Sequence, residues 1–371
     1  MKELYQFTLM SVNSVECKKT FVYMTERPKK NVFRDNSGND CETNADYFGA
    51  HIGIRKEISP INSGTYSSLC FVITFTKRGN ILYNMKKVGM RGVFVIRIED
   101  DFDLEKIADS GQCFRWQRDG DGFRIPFRDS LLFIRKVGPQ DYEVDCTEEE
   151  FDSIWRPYFD LVRSYRAIRG KIKKKDDPVL FEAAKLGQGI RILKQDPWEM
   201  LITFIISQRK NIPAIRQAVE AVCRAAGKKK TAKDGTEWYM FPSAEEIASL
   251  SDEALASCRL GYRDKYVRAA AEAALRGEID FRKLSALSHE DCLVELQKLY
   301  GVGIKVAQCV SLFGLHHLDA FPRDVWILRV LDEVYDGGKN YRFDAYAPYN
   351  GVMQQYLFEY YRNKDAREVS V

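Results

Sequence analysis

A lysine and an aspartate in the last third of the chain each stand where a helix is predicted to begin. Lys305 comes two residues after Gly301-Val302-Gly303, and Asp324 comes directly after Phe321-Pro322-Arg323. A primary amine is a nucleophile once it has lost its proton, and both burial and the positive end of a helix favour that form. A neighbouring carboxylate stabilises the positive charge that develops on a sugar when a bond to C1′ breaks. The pair therefore indicates attack by an amine at a sugar C1′.

The glycines before Lys305 are predicted to form a tight turn between a helix from Cys292 to Tyr300 and a second helix that starts at once. Such a turn leaves its amides unshielded, and the helix N-terminus adds partial positive charge, so it can bind the DNA backbone without reading sequence. Taken alone, the glycines also fit an ordinary helix connection, and Asp324 fits a routine N-cap. A lysine in the first turn of a helix is unfavourable for stability, which favours a functional role.

The elements that must position these residues are marked by turn and cap signals. Residues 113–145 alternate apolar and polar residues in short runs broken by Asp119-Gly120-Asp121-Gly122 and Gly138-Pro139, a pattern typical of antiparallel hairpins. Helix signals follow: an N-cap and proline at Asp196-Pro197, a cap at Asn211 with a left-handed stop at Gly227, a capping box at Ser243 and Glu246, and an alanine-rich helix from Tyr266 to Leu275 that ends at Gly277.

Composition excludes several classes of protein. The 371 residues are 45% hydrophobic, enough for a sizeable core, and the net charge of +4 is too small to indicate nucleic-acid binding by itself. The nine cysteines include no C-x-x-C pair, and no stretch approaches the roughly 18 apolar residues of a membrane span. We therefore expect no metal site, free thiols, and a cytoplasmic protein, nucleoid-associated if the source is bacterial.

Several separate motifs in one order resemble the helix-hairpin-helix DNA glycosylases, whose glycine, proline and aspartate signature is matched by Gly303, Pro322 and Asp324. Among them the chain is most similar to the 8-oxoguanine DNA glycosylase/lyases, from about Phe102 to Phe358. The other matching segments are Phe102-Asp103-Leu104, Ser110-Gly111-Gln112-Cys113-Phe114-Arg115-Trp116, Gln195-Asp196-Pro197 and Leu260-Gly261-Tyr262-Arg263.

The resemblance implies an enzyme of base excision repair that acts on double-stranded DNA with a damaged base and needs no cofactor. Lys305 would attack C1′, expel 8-oxoguanine and form a Schiff base that permits strand cleavage by β-elimination, with Asp324 as the essential carboxylate. The flipped base would be bound by Gly111, whose carbonyl meets N7–H, by Gln354 on the Watson–Crick edge, and by Cys309 and Phe358 on its two faces.

The resemblance also implies a set of DNA contacts: Arg209, Asn211, Tyr262, Arg263, Gly301, Val302 and Gly303. Tyr262-Arg263 matches the wedge that fills the space left by the flipped base. The segment Gln208-Arg209-Lys210-Asn211 and Ala214 stand where vertebrate-type members carry an asparagine run and an arginine, and Trp326 replaces a histidine. Contacts to the opposite base and to one phosphate are therefore expected to differ.

The predicted fold is α+β, with a small antiparallel β-sheet domain followed by an all-α helix-hairpin-helix glycosylase domain. We place the β domain with flanking helices at 91–185 and the helical region at 186–365. Residues 1–90 carry no motif that we can assign; they are either a small extra domain or lie before a true start at Met85 or Met90.

Other functions remain open at this point. The chain could be an alkylated-base glycosylase of the same superfamily, a non-catalytic helix-hairpin-helix DNA-binding protein, or a helical scaffold. A thymine-glycol-type endonuclease is disfavoured, because it carries four cysteines after the hairpin and Cys309 is the last here. We expect a monomer.

Overall fold

The computed structural model describes residues 93–232 and 234–368, and seven strands between residues 1 and 92. Side chains are described for residues 93–232 and 234–363. The chain divides into two compact units, residues 1–94 and residues 95–371. In the first unit, strands pair antiparallel as β1 with β2, β3 with β4, and β5–β6–β7. Their bounds are Leu4–Phe7 (β1), Thr20–Tyr23 (β2), Val32–Arg34 (β3), Asp40–Glu42 (β4), His51–Arg55 (β5), Cys70–Phe75 (β6) and Ile81–Asn84 (β7). Met85 and Met90, the alternative starts, lie outside the described residues.

The second unit begins with the predicted small sheet. Its five strands lie in the order β8-β12-β11-β10-β9. The turns between β9 and β10 and between β11 and β12 fall at the two predicted breaks, which confirms the hairpin signals. The bounds are Phe94–Arg97 (β8), Gln117–Asp119 (β9), Gly122–Phe127 (β10), Ser130–Lys136 (β11) and Asp141–Val144 (β12).

One face of the sheet packs on aromatic side chains from the following helical segment and on Trp116, which directly precedes β9. Phe127 lies 4.8 Å from Tyr158 between ring centroids, and Phe123 lies 5.6 Å from Trp116. Trp155 and its neighbours are fully buried. Burial of large aromatic side chains gives this small sheet the apolar contact that its own two faces cannot supply.

Helices make up most of the rest, as predicted. Those flanking the sheet are α1 (Leu104–Asp109), α2 (Glu148–Glu150), a π-helical turn (Phe151–Trp155), α3 (Arg156–Tyr158), α4 (Tyr165–Arg169) and α5 (Pro178–Leu186). The helical region continues with α6 (Pro197–Ser207), α7 (Ile212–Ala226), α8 (Ala244–Ala248), α9 (Asp252–Ser257), a 3₁₀ turn (Gly261–Arg263), α10 (Asp264–Leu275), α11 (Phe281–Ala286), α12 (His289–Gln297), α13 (Ile304–Phe313), α14 (Val325–Tyr335), a 3₁₀ turn (Asp336–Gly338), α15 (Phe343–Tyr346) and α16 (Asn350–Glu368). A two-stranded hairpin that we did not predict, β13 (Lys229–Thr231) with β14 (Glu237–Tyr239), interrupts them.

Three predicted helix starts are confirmed by their caps, whereas α10 begins at Asp264 and not at Tyr266, and α12 begins at His289 and not at Cys292. The Asp196 carboxylate accepts from the Trp198 and Glu199 amides, and the Asn211 side chain accepts from the Ala214 amide at 2.9 Å. Ser243 and Glu246 form the reciprocal capping box. Among the described residues, no helix has both the length and the apolar character needed to cross a membrane.

Two predicted helix ends are wrong. Gly227 is extended, with φ −75° and ψ 152°, because the chain leaves α7 straight into strand β13 instead of reversing. Helix α12 ends at Gln297 and not at Tyr300. The amides of Lys298, Leu299 and Val302 each bond the carbonyl three residues back, so the chain tightens before the glycine turn is reached.

Arg191 joins the segment that follows strand β8 to the helical segment that follows α3. Its side chain is fully buried, and it donates to the Asp101, Asp160 and Arg163 carbonyls at 2.7 Å each. It also pairs with the Asp100 carboxylate at 3.2 Å. A buried guanidinium with all of its donors engaged fixes the relative position of segments that lie far apart in sequence.

We predict that Arg191→Met lowers the free energy of unfolding by about 3–5 kcal/mol, because it leaves several buried main-chain carbonyls without a donor. Chemical denaturation measures the loss. Arg276→Met is the control, since Arg276 makes a 2.6 Å ion pair with Glu278 at the surface and should hardly change the denaturation midpoint. Equal effects of the two substitutions would contradict the role given to Arg191.

Candidate active site

The glycine turn has the conformation that its sequence predicts. Gly301 has φ +85°, and a Cβ added there would lie 2.3 Å from the Tyr266 ring, so no other residue fits without a shift. Its carbonyl accepts a hydrogen bond from Gln208 Nε2 at 3.1 Å. Gly303 is the N-cap of α13 with φ −87°, and a Cβ there would meet open space. The fold therefore requires glycine at 301, whereas at 303 glycine leaves the helix amides accessible.

Lys305 lies in the first turn of α13, as predicted, but the expected burial is wrong, because its side chain is exposed. Gly303, Ile304 and Lys305 are exposed, whereas Val302, a predicted DNA contact in the middle of the turn, has a buried side chain. The first amides of α13 have no carbonyl partner within the helix. An exposed ammonium beside unsatisfied amides makes this helix start a site for an anion such as phosphate.

Asp324 is the N-cap of α14, and its Oδ1 accepts from the Ile327 amide at 2.9 Å. The side chain is half-buried, and this burial raises the pKa of Asp324, although backbone amides and the charge of Lys305 act in the opposite direction. Burial also raises the pKa of the Cys309 thiol to about 12, with Lys305 and Asp324 as the charges that act on it. Lys305 and Asp324 are therefore close enough for their charges to act on each other and on Cys309.

The chain returns from the end of α13 to Asp324 along the N-terminal half of α16. The Gly351 amide donates to the Leu318 carbonyl at 2.7 Å, and Gln354 Nε2 donates to the Pro322 carbonyl at 3.2 Å. Gln354 is buried. Helix α16 thus holds the segment that carries the carboxylate.

Gly111 and Phe358 come together from opposite ends of the sequence. Gly111 has φ +74°, a conformation that favours glycine, and the Phe358 ring lies 3.5 Å from the position of a Cβ on Gly111. Phe358 is buried and follows Gln354 by four residues, so both project from one face of α16. Of the four predicted base-binding residues, Gly111 thus lies next to Phe358, Gln354 bonds the segment that carries Asp324, and Cys309 feels the charges of Lys305 and Asp324.

The predicted DNA contacts fall into two groups. Tyr262, 45% exposed, projects beside Tyr266, which in turn packs edge-on against Tyr300 at 4.9 Å. Arg209 is also exposed, with φ +51°, and Asn211 is exposed while it caps α7. These side chains lie on the surface beside the turn.

Arg263, by contrast, is buried. Its guanidinium donates to the Gln208 carbonyl and to the Leu260 carbonyl at 2.9 Å, and it lies 4.3 Å from the Tyr262 ring centroid. The structure gives Arg263 a supporting position under Tyr262, and its contact with DNA stays a prediction. Gln208 was not among the predicted site residues, yet it links Arg263 to Gly301; its sequence position carried no signal for this.

A cleft of about 510 Å³ lies at the opposite end of α13, bordered by Gly314, Leu315 and His316. None of the predicted site residues lines it. Because α13 has 10 residues, the cleft lies about 15 Å along the helix from Lys305. In the described part of the chain, no three His, Cys, Asp or Glu side chains converge as metal ligands.

Sequence models of two families match the second unit. The model described as 8-oxoguanine DNA glycosylase, N-terminal domain, matches residues 95–201, and the model described as HhH-GPD superfamily base excision DNA repair protein matches residues 202–341. The N-glycosylase/DNA lyase of Saccharomyces cerevisiae is 37% identical over 277 residues, which cover 67% of this chain and 73% of that protein.

Solved structures show the same likeness. The Clostridium acetobutylicum 8-oxoguanine glycosylase/lyase, in complex with double-stranded DNA containing cytosine opposite 8-oxoguanine, aligns with a TM-score of 0.69 and 32% identity over 74% of this chain and 96% of that one. A more distant likeness is to the DNA-3-methyladenine glycosylase of Bacillus subtilis, 27% identical over 152 residues, 40% of this chain and 50% of that protein.

The two glycines of the turn should respond differently to substitution. We expect Gly301→Ala to cost about 1–2 kcal/mol for the left-handed backbone, and more for the overlap with Tyr266. Gly303→Ser should keep or raise the melting temperature, because serine is a good N-cap. Its hydroxyl would, however, accept a hydrogen bond from an α13 amide that we expect to bind phosphate. We expect affinity for duplex DNA to fall about fivefold to tenfold. Unchanged DNA binding by Gly303→Ser would contradict this use of the amides.

The raised pKa of Asp324 makes a prediction about stability. The folded protein binds a proton there more tightly than the unfolded chain, so this contribution to stability is complete below the unfolded pKa and is lost as the pH rises through the folded one. Asn keeps the cap and carries no charge. We therefore expect the melting temperature of Asp324→Asn at neutral pH to equal or exceed that of the unsubstituted protein. The difference in melting temperature should vanish near about pH 3. A lower melting temperature at neutral pH would contradict this.

Proposed function

This chain belongs to the N-glycosylase/DNA lyases of the helix-hairpin-helix-GPD superfamily, and we propose that it removes 8-oxoguanine from double-stranded DNA and cleaves the strand at the abasic site. It is a DNA N-glycosylase and DNA-(apurinic or apyrimidinic site) lyase of base excision repair. The observation that supports the proposal is that Lys305 and Asp324, at the starts of two helices, both act on the buried Cys309 thiol, while Gly111 lies next to the Phe358 ring.

Base selection rests on the chemistry of the pocket border. A flipped base stacked on Phe358 would present its edge to Gly111, whose carbonyl accepts from N7–H of 8-oxoguanine; undamaged guanine has an acceptor at N7 and would be repelled there. Gln354, four residues before Phe358, has an amide suited to the Watson–Crick edge. Buried Cys309 offers a small polarisable surface for the other face.

The reaction uses the two helix starts. The exposed Lys305 ammonium first loses a proton to solvent, and the free amine then forms a bond to C1′ as the bond to the base nitrogen breaks. The base leaves with that electron pair and takes up a proton from water. Asp324 stabilises the positive charge on the sugar, and because burial raises its pKa, it is a better proton acceptor than an exposed aspartate. Opening of the sugar gives a Schiff base between Lys305 and C1′. Loss of a C2′ proton then expels the 3′ phosphate and cleaves the strand.

Double-stranded DNA would bind across the glycine turn and the aromatic side chains beside it. The amides at the start of α13 suit a backbone phosphate, and Tyr262 suits the gap left by the flipped nucleotide. Arg209 projects next to that gap and adds a cation on the same side. These contacts position the duplex, and the pocket selects the base.

We also propose that the protein acts as a monomer in the cytoplasm, in association with the nucleoid if the source is bacterial. Cys113, Cys223, Cys258, Cys292 and Cys309 are buried and take part in no disulfide. Free thiols of this kind are usual in proteins of reducing compartments.

The likeness to a DNA-3-methyladenine glycosylase supports a second candidate, excision of an alkylated base by the same pocket. Such an enzyme would need no lysine adduct. The two candidates therefore differ in both the lesion and the covalent intermediate.

Borohydride trapping on duplexes with 8-oxoguanine, alkylated adenine or thymine glycol tests the proposal. We expect a covalent adduct only with the 8-oxoguanine duplex. With Lys305→Gln we expect at least about a hundredfold less adduct, which is the size of effect that loss of a catalytic group gives. Excision of the alkylated base without trapping would move the function to the second candidate. Undiminished trapping by Lys305→Gln would show that another amine is the nucleophile.

A further inference from the structure

The loop that carries Gly111 is held by side chains that bond the last carbonyls of α1. These carbonyls have no partner within the helix. Ser110 Oγ donates to the Ile107 carbonyl at 2.7 Å, and Arg216 Nη2, from α7, donates to the Ala108 carbonyl at 3.0 Å. Arg362 Nη1, from α16, donates to the Asp109 carbonyl. The orientation of the peptide groups that lead to Gly111 is thus set from two other helices.

Arg362 is the member of this set that also touches the base pocket. It lies one helical turn after Phe358, and its guanidinium lies over the Phe358 ring, 5.4 Å from the centroid. Its Nη2 donates to the Glu359 carboxylate at 2.6 Å, and Glu359 is itself held by Asn363 at 2.7 Å. With only 24% of its side chain exposed, Arg362 is fixed by charge-assisted bonds at both ends of the guanidinium.

Phe358 and Gly111 are the two pocket residues whose separation this arrangement controls. The ring lies 3.5 Å from the position of a Cβ on Gly111, so the ring and the loop are already in contact. A base that stacks on Phe358 and bonds the Gly111 carbonyl needs both to be at a set distance. One planar guanidinium bonded to the loop and stacked on the ring can supply that distance.

We propose that Arg362 is a positioning residue for base recognition, which holds the Gly111 loop and the Phe358 ring in register for 8-oxoguanine. It does not itself touch the base. This inference rests on the proposed function, because it presumes that the pocket binds 8-oxoguanine.

The experiment measures equilibrium binding in a Lys305→Gln background, where no turnover occurs. Three duplexes are compared, containing 8-oxoguanine, guanine, or a tetrahydrofuran abasic analogue that needs no base pocket. We expect Arg362→Met, which keeps the length and the apolar contact with Phe358, to weaken binding of the 8-oxoguanine duplex about tenfold and to leave the abasic duplex within about twofold.

Two further variants make the test specific. Arg362→Lys keeps one charged donor but not the planar stack, and we expect it to recover only part of the lost 8-oxoguanine affinity. Arg216→Met removes one carbonyl bond from the same loop without a change in α16, and we expect a loss of about twofold. Melting temperatures of all the variants confirm that they are folded.

The outcomes separate this inference from the proposed function. If the Lys305→Gln background binds 8-oxoguanine no more tightly than guanine, the proposed function fails. If that preference is present, two results would show that the positioning role is wrong. In one, Arg362→Met lowers the affinities for the 8-oxoguanine and abasic duplexes equally. In the other, it lowers neither affinity. Full recovery of the 8-oxoguanine affinity by Arg362→Lys would likewise contradict a role that needs both the carbonyl bond and the planar stack on Phe358.

Discussion

The site depends on keeping the Asp324 carboxylate in a place that is half-buried and yet next to an amine. Burial raises its pKa, so the charge is unfavourable there unless something compensates for it. The α14 amides and the charge of Lys305 provide that compensation. Two helix starts must therefore abut, which requires the chain to come back from the far end of α13. Hydrogen bonds from α16 to the Leu318 and Pro322 carbonyls hold the segment that leads back to Asp324. The position of this last long helix is therefore coupled to the position of the carboxylate.

The glycine turn solves a different problem, since it must be rigid while its amides stay open. Tyr266 fills the space against Gly301, and Gln208 bonds its carbonyl, so the turn is fixed from behind. Gly303 has nothing against it, which leaves the start of α13 free to receive a phosphate. Arg263 bonds the Gln208 carbonyl and stacks under Tyr262. The turn and the exposed tyrosine thereby share one support.

Arginines bonded to main-chain carbonyls recur where distant segments meet. Arg191 fixes the border of the sheet unit, and Arg216 and Arg362 fix the loop before Gly111. A guanidinium satisfies carbonyls at helix and strand ends that would otherwise be buried without a donor. Because these side chains carry fixed charge and a planar shape, they also set angles as well as distances. These three arginines therefore act within the fold itself.

The sequence alone determined the elements and the identity of the chemical groups. Caps at Asp196, Asn211 and Ser243, the hairpin breaks in the sheet and the motifs around Lys305 and Asp324 are local signals, because each depends on residues within one turn of chain. Local signals failed where a neighbour from elsewhere decided the outcome. The exit from Gly227 follows strand β13, and Lys305 is exposed although Val302, three residues before it, is buried. Only the tertiary structure decided the roles of Gln208, Arg263 and Arg362, since each bonds a main-chain carbonyl of a segment 50 or more residues away, and carbonyls are the same in every residue.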